Sequence, residues 1–341
     1  MSSAGWLRRS LLVFGIALAA VVFARPANAL FVFQVEGGTV NKTNTYDNPT
    51  WDKVNLKFSY VAPIIIAIPN SNGGNPADFR IRNITTTSFE LTLAEPPSED
   101  GPHIEMDISY MAMETGQWVL PDQQMMAAGV VSSTQLVYKG GGDFTTVVLP
   151  SGFSNPIVFA QIQGLANETN NLPSQTSNPW ITASVRNVTP GSFELALDGA
   201  ECFSGALNLN ETVAWMAIDA GVTSNFVDTD NVSIFYETIK TGNTIIGWDN
   251  GSVFVPFSQN YNSPPLFVAK PQTRNEDDGG WIRYATLSST GVSLRIDEDE
   301  CQDNERFHTG EQAGIFAFSG SFRMQDPDPD LDGISSTLDN C

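Results

Sequence analysis

Val185-Arg-Asn-Val-Thr-Pro-Gly-Ser-Phe-Glu-Leu-Ala-Leu197 decides the fold, because the chain writes it three times. Ile81-Arg-Asn-Ile-Thr-Thr-Thr-Ser-Phe-Glu-Leu-Thr-Leu93 lies 104 residues upstream and matches it at eight of thirteen positions. Tyr284-Ala-Thr-Leu-Ser-Ser-Thr-Gly-Val-Ser-Leu-Arg-Ile296, 99 residues downstream, is a worn third copy. Each copy reads as strand, short polar turn, strand. Phe89, Leu91 and Leu93 alternate onto one face, as do Phe193, Leu195, Leu197 and Val292, Leu294, Ile296. A period of two marks a strand with one buried face. Copies spaced about 100 residues apart are long enough to fold as domains. The spacing predicts three tandem domains.

The same parts surround each copy in the same order. A Gly-bearing opening comes first, at residues 36–40, 128–131 and 241–245. A strand, a Pro-marked turn and an apolar strand follow, ending at Ala67, Ala160 and Ala269. Closing strands run over 108–113, 213–218 and 313–318. Five or six strands per unit, with 28 Gly and 20 Pro and almost no helix-periodic segments, predict an all-β chain of small antiparallel sandwiches. The repeats are placed at 30–120, 121–228 and 229–323, with linkers near 114–126 and 221–240. The second linker, carrying Asp228, Thr229, Asp230 and Asn231, reads as the better hinge.

Residues 1–29 are read as a signal peptide: Arg8-Arg9, an apolar run from Leu11 to Phe23, then Ala27-Asn28-Ala29 in small-x-small form. The run is too short for a membrane span, which needs roughly 20 residues. A secreted or cell-surface location without membrane insertion is expected. A net charge of -21, from 38 acidic and 17 basic residues, argues against nucleic acid as a partner. Cys202 and Cys301 fall nine residues after Phe193 and Val292, in the same loop of repeats two and three. They can pair if those loops meet; free or separately paired thiols are the other reading. Cys341 is the last residue.

The Pro turn, the repeated stretch and the closing Tyr-Met-Ala and Trp-Met-Ala strands together resemble the H-type lectin family over roughly residues 33–320. The resemblance implies six-stranded antiparallel sandwiches and a carbohydrate-binding heritage, with sugar held between protomers of a trimer. Three tandem copies would make such a trimer within one chain, an intrachain pseudo-trimer. At the place of the family's ligand-binding Arg stand Pro76, Trp180 and Gly279; at its aromatic platform stand Pro96, Ala200 and Asp299. One polar position does recur: His103, Asn208 and His308 each lie nine residues before the closing Ala112, Ala217 and Ala317. These three are the candidate ligand-binding residues, since imidazole and amide groups hydrogen-bond sugar hydroxyls. Trp180, Trp215 and Trp281 read as core aromatics rather than sugar platforms.

Asp328-Pro-Asp-Leu-Asp-Gly333, followed by Asp339-Asn-Cys341, is the sharpest chemical signal. Asp328, Asp330 and Asp332 at alternate positions converge on a hard cation while Gly333 turns the chain; the Ile334 carbonyl and Asp339 can complete the shell. The pattern resembles a thrombospondin type 3 repeat and implies a Ca²⁺-binding tail over 324–341. The acidic run Asp297–Asp303 lacks such punctuation and reads as a solvated loop. No catalytic motif emerges, so the chain reads as a non-enzyme. The leading expectation is a secreted carbohydrate-binding or adhesion protein with a Ca²⁺-binding tail. The alternative is a structural scaffold or spacer without sugar binding, forming the N-terminal part of a larger extracellular protein.

Overall fold

The alternating apolar positions of the repeated stretch all turn inward. Phe89, Leu91, Leu93, Phe193, Leu195, Leu197, Val292 and Leu294 are 0% exposed and Ile296 is 1% exposed. The polar turn between the two strands has a backbone reason for its asparagines. Asn83 and Asn187 both take φ 50°, a left-handed conformation that Asn tolerates better than other side chains. The third copy has Thr286 at that place, and its strand pair shifts register between Tyr284 and Thr286, as the second copy's does between Arg186 and Thr189.

The computed structural model describes residues 31–43, 50–99, 101–138, 141–168 and 179–326. The leader over 1–29 and the tail residues Asp328, Asp330, Asp332, Ile334 and Asp339 lie outside them. Repeat one contains β1 (Phe31–Lys42), β2 (Asp52–Asn55), β3 (Pro63–Pro69), β4 (Asp78–Arg82), β5 (Ser88–Ala94) and β6 (Met106–Glu114), with β7 (Gly116–Val119) after it. Repeat two contains β8 (Met125–Ser133), β9 (Leu136–Tyr138), β10 (Gly141–Gly142), β11 (Thr145–Val148), β12 (Pro156–Ile162), β13 (Thr182–Thr189), β14 (Ser192–Asp198) and β15 (Glu211–Asp219), with β16 (Thr223–Val227) after it. Repeat three contains β17 (Ser233–Lys240), β18 (Val253–Pro256), β19 (Leu266–Pro271), β20 (Trp281–Ser288), β21 (Gly291–Asp297) and β22 (Ala313–Phe318), with β23 (Phe322–Asp326) after it. The chain is all-β, and each repeat packs an outer sheet on an inner one. The outer sheets are β2-β5-β4, β11-β14-β13 with β9 and β10, and β18-β21-β20.

The inner sheets run β23-β1-β6-β3, β12-β15-β8-β7 and β16-β17-β22-β19. Each borrows its last strand from the repeat before it. β7 pairs with β8, β16 pairs with β17, and β23 returns to pair antiparallel with β1 from Phe31↔Asp326 to Val35↔Phe322. The three repeats therefore close on one another as a pseudo-three-fold ring. The sequence expectation of two linkers with a hinge at 221–240 is corrected here: the first contains β7, and the second contains β16 and the start of repeat three in β17. The partners of β7 and β16 lie in the next repeat, so local sequence does not reveal the pairing.

The inner strands are buried on both faces. In β6, Ile108, Tyr110 and Ala112 face the sandwich of their own repeat, while Met111 and Met113 face a core shared by all three repeats. β15 and β22 divide in the same way, sending Met216, Ile218, Phe316 and Phe318 into that shared core. Double burial explains why the closing strands read as nearly unbroken apolar runs. Each fully buried side chain of this size contributes about 1.5–3 kcal/mol.

β3, β12 and β19 are the edges of their sheets, and an open edge carries unpaired backbone groups. The neighbouring repeat satisfies them. Gln163 at the end of β12 accepts from Ile65 N–H (2.9 Å) and donates to the Ile65 carbonyl (2.8 Å). Gln272 at the end of β19 does the same to Val158, at 2.7 and 2.7 Å. The equivalent residue in repeat one is Asn70, one methylene shorter, and there the Ser109 hydroxyl donates to the Phe267 carbonyl instead (2.7 Å). Gln272→Ala is expected to destabilise the protein by about 1–3 kcal/mol for each Val158 group left unpaired. Denaturant unfolding measures this, and a loss below about 0.5 kcal/mol contradicts the capping role.

Candidate functional site at the repeat interfaces

The clefts between repeats are filled by the protein's own charged groups. Between repeats one and two, Arg80 grips Glu168, with Nε to Oε2 at 2.5 Å and Nη2 to Oε1 at 3.0 Å. Between two and three, Arg274 holds Asp198 at 2.8 and 3.2 Å. Between three and one, Arg283 donates to the carbonyls of Asn70 (2.9 Å), Asn72 (2.6 Å) and Asn75 (3.2 Å). Arg80, Ser184 and Arg283 hold the same place in the three copies, just before Ile81, Val185 and Tyr284.

Of the three residues at the place where the sequence resemblance expects a sugar-binding Arg, Trp180 and Gly279 take structural parts. Trp180 is 2% exposed and lies against Trp281 with ring centroids 4.8 Å apart, beside Ala94 and Ala200. The Arg80 guanidinium sits over its ring at 4.6 Å. Gly279 has φ 86°, and a Cβ there would stand 2.6 Å from the Asp198 carboxylate, so glycine alone lets this loop wrap the Asp198–Arg274 pair.

The recurring His/Asn/His position divides. His103 is 4% exposed, with Nδ1 2.8 Å from the Ile104 carbonyl, and burial pushes its pKa down. Asn208 is exposed; its backbone N–H donates to Asn167 Oδ1 at 3.1 Å. His308 is 6% exposed and enclosed by Glu276, Glu298 and Glu311. Burial opposes charging His308, yet its hydrogen bonds to Glu298 and Glu311 outweigh this and raise its pKa to about 9. Among the described residues no hydrogen bond or ion pair joins any two of the three. The two imidazoles expected to meet a sugar are packed inside the repeats, because loops from other strands close over them.

The acidic run Asp297–Asp303 is likewise corrected from a solvated loop. Asp297 is 0% exposed, bridging Arg283 Nη1 (2.5 Å) and Arg306 Nη1 (2.9 Å). Cys202 and Cys301 form a disulfide with Cα atoms 5.4 Å apart, joining equivalent loops of repeats two and three. Around it the Asp299 carboxylate accepts from the N–H groups of Glu201 and Cys301, and Gln302 N–H donates to Glu201 Oε2, all at 3.2 Å. Burial, then the neighbouring Asp299, Asp278 and Asp303 charges, push the Glu201 carboxyl up to about 8.

A site missed in the sequence lies on repeat three. Trp248, in a 3-10 turn at Trp248–Asn250, is surrounded by Arg283, Arg295 and Arg306, whose guanidinium carbons lie 4.8, 4.4 and 4.3 Å from its ring centroid. Asp297 and loop carbonyls take Arg283 and Arg306. Among the described residues Arg295 has no carboxylate within ion-pair distance, and its Nε is buried without a hydrogen-bond partner. The signal available in sequence was faint: a Trp between glycines, 35 residues or more from the arginines it meets.

No family model and no solved structure matches this chain. Among curated proteins, halomucin of Haloquadratum walsbyi is 28% identical over 299 residues, which cover 84% of this chain and 3% of halomucin. The chain thus spans a small fraction of the relative it matches. Among the described residues no helix is long and apolar enough to cross a membrane.

A carboxyl raised from 4.5 to about 8 gives stability that is full below pH 4.5 and lost as pH rises to 8. Glu201→Gln keeps the acceptor for Gln302 and removes the charge. Its melting temperature should match the wild type near pH 4.5 and exceed it increasingly toward pH 8. An advantage that does not grow with pH contradicts the assignment.

Proposed function

We propose that this chain is an extracellular carbohydrate-binding and adhesion module, a binding unit rather than an enzyme, recognising acidic sugars through Arg295 beside Trp248. The carrying observation is Arg295 itself, a guanidinium that among the described residues has no carboxylate within ion-pair distance, in a chain of net charge -21. Arg presents a planar fork that matches carboxylate and sulfate groups, and a charge-assisted pair of this kind is worth about 1.5–3 kcal/mol. The partly exposed Trp248 ring beside it offers an apolar surface of the kind sugars lie against.

Several observations support an extracellular setting. The Cys202–Cys301 disulfide suits an oxidising compartment. The leader over 1–29 has the form of an export signal. Halomucin bears the name of a mucin, and a unit matching 3% of its length supports a module repeated or embedded in a long surface protein. Weak sites on such a chain gain strength by multivalency. The aspartates Asp328, Asp330, Asp332 and Asp339, with Ile334, would bind Ca²⁺ in a tail on the C-terminal side of β23.

One observation favours the scaffold reading: Arg80–Glu168, Arg274–Asp198 and Arg283 occupy the repeat interfaces where the resemblance to H-type lectins would place sugar. A glycan array that includes uronic, sialic and sulfated sugars separates the readings. Binding to acidic glycans, weakened about tenfold or more in Arg295→Ala, is the expected result, since 1.4 kcal/mol is a factor of ten. An array silent with and without Ca²⁺ overturns sugar binding and leaves the scaffold.

A further inference from the structure

We infer that Glu276, Glu298 and His308 form a binding site for one divalent transition ion of the zinc class. The three come from separate segments of repeat three: the loop between β19 and β20, the residue after β21, and the loop before β22. One ligand atom from each lies within 4.8 Å of the others. The side chains of His308 and Glu298 are 2% and 6% exposed, while that of Glu276 is 28% exposed and leaves one side open for entry and for further ligands.

The hydrogen bonds around the imidazole decide which nitrogen faces the ion. Glu311 is anchored by the Thr273 hydroxyl and by Asn275 N–H, the latter at 2.5 Å. Its Oε1 lies 3.2 Å from His308 Nε2, so Nε2–H donates to it. A carboxylate behind an imidazole fixes the tautomer and orients the ring for a metal on the other nitrogen. That nitrogen, Nδ1, points at two carboxylates, Glu298 and Glu276, the second at 3.3 Å. One imidazolium charge faces both carboxylates, and Glu276 also accepts from the uncharged Thr309 N–H, so the pair keeps a net negative charge. A divalent ion compensates both carboxylates at once, taking the place of the Nδ1 proton, which leaves to solvent.

The donor set selects the ion. One imidazole with two carboxylates suits zinc or manganese, whereas Ca²⁺ prefers oxygen ligands alone. This site is therefore chemically distinct from the aspartate tail. The ion would tie the segment carrying Arg306 to β21 and to the loop before β20, beneath the Trp248 cluster.

The test uses the full chain carrying Cys341→Ser, stripped of metal and held in excess Ca²⁺ so that the tail does not compete. Zn²⁺ binding is followed by calorimetry, and the two imidazoles of the chain by nitrogen-15 NMR. The expected result is one Zn²⁺ per chain, with one imidazole changing to a metal-bound Nδ1 and protonated Nε2 pattern. Glu276→Gln, at the most exposed of the three ligands, should weaken binding tenfold or more while leaving the melting temperature of the metal-free protein within a few degrees. Equal Zn²⁺ affinity in wild type and Glu276→Gln, or an imidazole signature unmoved at saturating Zn²⁺, overturns the inference.

Discussion

Three sheet edges converge in this molecule, and the rest of the structure depends on how they are closed. β3, β12 and β19 each expose a row of backbone donors and acceptors toward the neighbouring repeat. Gln163 and Gln272 each satisfy one N–H and one carbonyl on the edge they meet, using the two ends of a single amide. An edge strand left open is a site for pairing with another chain. Capping it from within the same chain turns three sandwiches into one closed body. The borrowed strands β7, β16 and β23 complete the closure on the opposite edges, and the shared core of Met111, Met216, Phe316 and their neighbours fills the space between.

This closure bears on function. The clefts between repeats become interior, and interior charges must be paired. Arg80, Arg274 and Arg283 are therefore committed to Glu168, Asp198 and the carbonyls of residues 70–75. Repeat three carries two unusual groupings, one where Arg295 borders Trp248 and one where His308 meets three glutamates. The repeats have diverged in this respect. His308 stands in a nest of carboxylates, His103 is packed under Gly73, and Asn208 is exposed.

Strands, turns and class were legible because they are local. The alternation of Phe89, Leu91 and Leu93 and the left-handed Asn83 and Asn187 turns depend on neighbours a few residues away. Long-range closure was not legible: β23 pairs with β1 nearly 300 residues earlier, and nothing in Phe322–Asp326 names that partner. The acidic run at Asp297 looked solvated since its partners, Arg283 and Arg306, are recognisable only once β20, β21 and the following loop are folded together. Similarly, nothing in the spacing of Cys202 and Cys301 said whether their loops meet; the ring brings them to a Cα separation of 5.4 Å. Trp248 shows the same limit, a side chain whose role is set wholly by distant arginines.

Small-angle X-ray scattering on residues 30–341 tests the closed ring most directly. A single body of this length has a radius of gyration of about 20 Å. The account predicts a value near that figure, with a bell-shaped profile for one compact body. Three sandwiches strung out on flexible linkers would give a value well above it and a distance distribution with more than one maximum, and that result would contradict the ring.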